Sequence, residues 1–182
     1  MLKLMVPETE LFDELSGEFV KTKAQTLQLE HSLVSLAKWE SKWKKAYIGT
    51  KDKTDEEAID YIRCMTITQN VVPDTYIVIG HNRELLGKIN EYIDDSMTAA
   101  TFSKSDSARH SREKITAETL SHAMIVNNIP LECQKWHLNR LLTLIRFCSV
   151  KNGPSKKMGT REQMMRNAKI NAKNRKKYNS KG

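Results

Sequence analysis

Ser32-Leu33-Val34-Ser35-Leu36-Ala37-Lys38-Trp39-Glu40-Ser41-Lys42-Trp43-Lys44-Lys45-Ala46-Tyr47 sets the class of this chain. Leu36, Trp39, Trp43 and Tyr47 follow one another at steps of three, four and four, which puts them on one face of a helix. Lys38, Ser41, Lys42, Lys44 and Lys45 cover much of the remainder, and Ser32 is placed to cap the N-terminus. Two tryptophans one turn apart bury a large area, so they are expected in the core and as the main contact between this helix and a sheet. The sheet is expected upstream. Leu2, Leu4 and Val6 alternate with Lys3 and Met5, Leu27 and Leu29 flank Gln28, and Glu18-Phe19-Val20-Lys21 is a third short candidate around a Ser16-Gly17 turn.

Downstream the period stays helical. Thr54-Asp55-Glu56-Glu57 is a capping box with acids in the first turn, followed by an apolar face of Ala58, Tyr61, Ile62 and Met65. Tyr76-Ile77-Val78-Ile79 has strand composition, yet Asp74 after Pro73 equally starts a short helix. Asn82 caps a third helix bearing Leu85, Leu86, Ile89, Tyr92 and Ile93. Residues 96–111, rich in Ser, Thr and Asp, read as a surface connection. Ser111 is placed to cap a fourth helix carrying Ile115, Leu120, Ala123 and Met124. A fifth runs from about Leu131 to Val150, with Trp136, Leu141, Leu144, Ile145 and Cys148 inward and Gln134, Lys135, Asn139 and Arg146 wet. The expectation is an α+β fold, mainly α: a small N-terminal antiparallel β element (1–30), about five packed helices (31–150) and a basic C-terminal arm (151–182).

Charge is unevenly placed in the 182 residues. Residues 151–182 hold eleven of the 30 Lys+Arg and one of the 22 Asp+Glu, a net of +10. Residues 1–150 are left at −2. The basic pI therefore belongs to an arm, joined through Lys151-Asn152-Gly153-Pro154-Ser155, where glycine and proline interrupt the preceding helix. Thr160 and Gln163 fit a capping box, and the apolar stripe that follows is thin, so this helix is expected to be marginal on its own. Lys156, Lys157, Arg161, Arg166, Lys169, Lys173, Arg175, Lys176 and Lys177 are the candidate partner-binding residues. They read either as a solvated tail or as an arm that folds onto an acidic partner, protein or nucleic acid.

Motifs for catalysis are missing. No glycine-rich phosphate cradle, P-loop or G-x-S-x-G elbow occurs. Cys133 and His137, four apart, are expected on one helix face, but no second ligand pair stands at metal spacing, so a buried thiol beside a hydrogen-bonded imidazole is the reading. Glu56-Glu57 and Asp94-Asp95 read as solvated ends and caps. Residues 106–112 form a polar loop with some capacity for phosphate. No run approaches a membrane span, and the opening Met1–Glu8 is too soon acidic for an export signal, so the three cysteines are expected reduced in a cytoplasm. No enzyme, cofactor or metal is expected.

Three stretches carry a resemblance. They are Leu29-Glu30-His31-Ser32-Leu33 running on to Trp43, Asp60-Tyr61-Ile62-Arg63-Cys64-Met65-Thr66, and Trp136-His137-Leu138-Asn139-Arg140-Leu141 running on to Arg146. With Asn152-Gly153-Pro154-Ser155-Lys156-Lys157-Met158 and the basic end, they resemble a family from the tail-gene region of long-tailed bacteriophages, taken to be tail assembly chaperones. The likeness spans roughly residues 27–182. It implies a non-catalytic protein that acts in the host cytoplasm, binds the tape measure protein, helps recruit tail-tube subunits and leaves the mature virion. Self-association is compatible with that role. Spare apolar surface such as the Met97–Phe102 stretch would cover helical partner segments. The principal alternative is a structural virion protein whose arm orders on a neighbouring subunit, and nucleic-acid binding through the arm ranks third.

Overall fold

A computed structural model describes residues 1–13, 18–50, 52–100, 114–152 and 160–178. Its chain divides into two compact units, Met1–Ser149 and Val150–Gly182. The fold is mainly helical α+β, with small antiparallel sheets at the N-terminus followed by helices. Among the described residues no helix is long and apolar enough to cross a membrane.

The first unit opens with four strands, β1 (Leu2–Val6), β2 (Thr9–Asp13), β3 (Glu18–Thr22) and β4 (Gln25–Leu29). β1 pairs antiparallel with β4, Leu2 opposite Leu29 and Leu4 opposite Leu27, and β2 pairs with β3. Pro7, which has no N–H to donate, stands where one ladder stops and the next begins. Alternation then does what the sequence led one to expect: Leu4, Val6, Leu27 and Leu29 are buried, and Met5 is exposed. β2 was not anticipated, because Thr9–Asp13 lacks a regular apolar alternation. The Ser16-Gly17 turn lies outside the described residues. On β2 and β3 the cross-strand pair Phe12 and Phe19 is 55% and 68% exposed, with ring centroids 5.1 Å apart.

Helix α1 (Leu33–Trp43) begins at Ser32, whose hydroxyl accepts from Ser35 N–H in a reciprocal box. It ends earlier than the tryptophan spacing suggests. Lys44 takes the left-handed conformation at φ 54° and closes the helix, so Tyr47 lies beyond it. Tyr47 still joins the aromatic group, stacked on Tyr61 at 3.8 Å and edge-on to Trp39 at 5.1 Å.

Helix α2 (Asp55–Met65) starts at the Thr54–Glu57 capping box. It, not the sheet, receives the polar edges of the tryptophans: Trp39 Nε1–H donates to the Glu57 carbonyl (2.8 Å) and Trp43 Nε1–H to Asp60 Oδ2 (2.9 Å). Indole is apolar over most of its surface but must place one N–H, and the turn of α2 offers acceptors. Two further expectations change on this helix. Ala58 is exposed, and Glu57 is buried with its carboxylate bonded to Lys45 (2.5 Å) and to the Thr54 N–H (3.1 Å), so it caps the helix without being solvated.

The ambiguous Tyr76–Ile79 stretch is helical, within α3 (Asp74–His81). Gly80 lets α3 lie close to α2, since an added Cβ would sit 3.2 Å from Ile59 Cδ1. Asn82 Oδ1 caps α4 (Arg83–Asp94) by accepting from Glu84 and Leu85 N–H. Helix α5 (Ala117–Val126) is capped by Thr116, five residues after the expected Ser111, which is outside the described residues. Glu40 of α1 reaches it: one carboxylate oxygen accepts from Ala117 N–H (2.7 Å), the other from Tyr47 N–H (2.8 Å). The expected single helix from Leu131 is two elements, a 3-10 turn (Leu131–Lys135) and α6 (Leu138–Asn152), separated at Trp136-His137.

Two apolar clusters result. One gathers β1, β4, Trp39 and the inner faces of α2, α3 and α4; the other gathers Leu33 and Leu36 with α5, Cys133 and α6. Helix α1 contributes to both, Trp39 on one side and Leu33 and Leu36 on the other. In the second unit, helix α7 spans Thr160–Tyr178.

Lys44→Gly tests the end of α1. Glycine adopts positive φ without a Cβ penalty. The substitution is expected to stabilise the protein by about 0.5–1 kcal/mol, read as a raised urea midpoint at unchanged slope.

Candidate functional site

Candidate catalytic groups are dispersed. Cys64, Cys133 and Cys148 are free thiols. Cys133 is buried in the 3-10 turn and His137 lies in the break before α6, so the two do not share a helix face as their spacing had implied. Among the described residues no group of three or more His, Cys, Asp or Glu is placed to hold a metal ion.

His137 instead meets His31. Their ring centroids are 5.0 Å apart, and both side chains are buried, 8% and 2% exposed. The His31 carbonyl accepts the Leu138 N–H at 2.8 Å, which starts α6 against the β4–α1 junction. His31 Nδ1 is 2.7 Å from the Tyr61 hydroxyl. His137 Nε2 lies 2.9 Å from the Tyr92 carbonyl, an obligate acceptor, so Nε2 carries the proton and Nδ1 is a buried acceptor with no partner among the described residues. Next to it, the partly accessible Asn139 donates through Nδ2 to the Ile93 and Asp95 carbonyls at 2.8 Å each, closing the end of α4.

The junction therefore joins all three stretches singled out in the sequence: His31, Tyr61, and His137 with Leu138. Its electrostatics keep it uncharged. Burial pulls the His31 imidazole down to about 4, helped by the neighbouring His137, and burial lowers His137 as well. Burial raises Tyr61 and Tyr92 above the ordinary phenol range. Two buried imidazoles, hydrogen-bonded to the Tyr61 hydroxyl and the Tyr92 carbonyl, here link the β4–α1 junction, α2, α4 and the start of α6.

The surface offers more. A cleft of about 460 Å³ lies along α2 and α3, lined by Asp55, Glu56, Asp60, Lys42 and Arg63 and floored by Ile59, Tyr76, Ile77 and Leu86. Arg63 sits 5.1 Å from the Tyr76 ring centroid. Its charges are mixed, and Asp60 is already committed to Lys42 and Trp43. Ile125, Val126 and Leu131, at the end of α5 and the turn beyond, are each more than 60% exposed. Sequence periodicity passed over them, since apolar residues within a helical run are assigned inward by default. In the Met97–Phe102 stretch, Met97 is 40% exposed at φ 48°, and Phe102 lies outside the described residues.

Of the cations proposed for partner binding, Arg166, Lys169, Lys173, Arg175 and Lys177 are exposed along α7. Arg161 and Lys176 are in the same helix with side chains outside the description, and Lys156 and Lys157 are outside the described residues. The thin apolar stripe read among them is exposed as well: Met164, Met165, Ile170 and Tyr178 are 67%, 61%, 46% and 68% exposed.

The chain matches no protein-family model, no curated protein and no solved structure.

Acid titration probes the histidine junction. A free imidazole ionises near 6.5 and the buried His31 near 4, so the unfolded chain takes up the proton first. The contribution is whole above pH 6.5 and is lost as pH falls towards 4, on the order of 2–3 kcal/mol. Urea denaturation at half-unit steps is expected to show this fall, and His31→Gln to flatten it. A wild-type profile level between pH 6.5 and 4.5 contradicts the account.

Proposed function

We propose that this chain is a non-catalytic tail assembly chaperone of a long-tailed bacteriophage. In this reading it binds the tape measure protein, helps bring tail-tube subunits to it, acts in the host cytoplasm and is left out of the finished particle. The observation that carries the reading is the meeting of the resembling stretches. Segments scattered between residues 29 and 146 converge on His31, Tyr61 and His137, which supports reading the three resembling stretches as parts of one packed unit.

Two further features support it. The inward groups are engaged in packing and hydrogen bonding, which suits a binding protein better than an enzyme. The outward ones include an apolar end on α5 and a cationic helix bearing exposed methionines. Flexible, polarisable methionine side chains adapt to varied apolar partners, which a chaperone of a long helical chain requires.

The deciding experiment is quantitative mass spectrometry of purified particles against infected-cell lysate. Abundance in lysate with absence from particles, and recovery of the tape measure protein with the tagged chain, is the expected result. A fixed copy number per particle overturns the proposal and makes the chain a structural virion component.

A further inference from the structure

Helix α7 (Thr160–Tyr178) has two different long faces. At about 100° per residue, Met164, Met165, Ala168 and Ala172 fall within an arc of about 100°. Each described side chain of the helix is exposed. Ala168 and Ala172, four apart, leave a shallow groove about one turn long in which another backbone can approach closely, and the methionines stand beside it as adaptable knobs. The residue after each alanine is a lysine, so Lys169 and Lys173 run along one edge of the groove. Arg175 stands at its far end, and Arg166 lies beyond the lysine edge.

We infer that this face is a docking site for an acidic, helix-forming protein segment, with aliphatic side chains in the Met/Ala groove and carboxylates opposite Lys169 and Lys173. The inference rests on the chaperone reading and names the chemistry of its client. Charge selects the occupant. Residues 160–178 hold seven cations and one acid, so α7 of a second copy is repelled. A nucleic acid rewards the cations but gives the paired methionines nothing to bury against, and the helix has one aromatic, Tyr178, for stacking. An acidic helix satisfies both faces at once, in the manner of helix-in-groove recognition with complementary flanking charges.

The test uses the full chain and three labelled probes, read by fluorescence anisotropy at 50 and 200 mM salt. The probes are a peptide of about three heptads with Leu and Ala at the a and d positions and Glu at e and g, the same peptide with Lys at e and g, and a 20-base-pair DNA duplex. The Glu peptide is expected to bind and the Lys peptide not to bind. Met164→Ser with Met165→Ser is expected to weaken binding of the Glu peptide at least tenfold, as is Lys169→Glu with Lys173→Glu. Met164→Leu with Met165→Leu, which keeps an apolar face and helix propensity, is expected to stay within twofold. Circular dichroism of each variant separates loss of contact from loss of helix.

Unchanged binding by the serine pair overturns the inference, as does the absence of binding to the Glu peptide. So does tighter binding to DNA with a log–log salt slope near −4.5, about 0.9 for each of five phosphate contacts. Recovery of the tape measure protein by the tagged wild-type chain keeps the two proposals apart. If it is recovered while the peptide fails, the chaperone reading stands and α7 is not its docking element. If the peptide binds and the tape measure protein is not recovered, the surface stands and the chaperone reading falls.

Discussion

The backbone between β4 and α1 is the constraint on which the first unit depends. At residues 30 and 31 the chain leaves a ladder before it has entered a helix, and its polar groups must still find partners away from water. They find them in other elements. Glu30 N–H donates to the Met65 carbonyl at the end of α2, and the His31 carbonyl takes the Leu138 N–H at the start of α6. The His31 N–H donates to the Tyr92 hydroxyl, and its imidazole meets Tyr61 and His137. One short crossing thus sets where three helices begin or end. It also explains the break at Trp136-His137, since an N–H given to His31 is unavailable for a continuous helix.

The α1–α2 seam shows a second constraint, that buried charge be fully partnered. Glu57 and Asp60 are nearly inaccessible, and each is met by a lysine whose head remains in solvent, Lys45 and Lys42. Lys45 lowers the carboxyl of Glu57 from its ordinary range by hydrogen bonding to it. Glu40, on the opposite side of α1, uses both oxygens on backbone N–H groups, one of them the first of α5. These carboxylates work as connectors: each ties a helix to a neighbour that is distant in sequence. Removing a partner leaves the carboxylate buried and unpaired, the costly case for an interior charge.

The two units differ in how they use apolar residues. In the first, aliphatic and aromatic groups lie mostly inside two clusters that α1 bridges, and most outward-facing groups are polar. In α7 the described apolar side chains are exposed among cations. A helix of that composition has little reason to carry paired methionines unless something covers them, and that contrast motivates the docking proposal.

Local chemistry was legible in the sequence. Ser32, Thr54 and Asn82 cap the helices they appeared to cap, because a cap is a contact across three residues that needs no tertiary information. The alternation of Leu2, Leu4 and Val6 and of Leu27 and Leu29 located the paired strands for the same reason, and the split between a near-neutral body and a basic end was a matter of counting. What the tertiary structure decided was every choice between partners. Trp39 and Trp43 turn to α2 because an indole N–H goes to the nearest well-placed acceptor, which no spacing reveals. Glu57 is buried, not solvated, because Lys45 folds over it from the end of α1. His137 is a partner of His31 rather than of Cys133 because a carbonyl more than a hundred residues upstream draws the Leu138 N–H out of the helix. A sequence pattern records which groups need partners; only the folded chain brings those partners within reach.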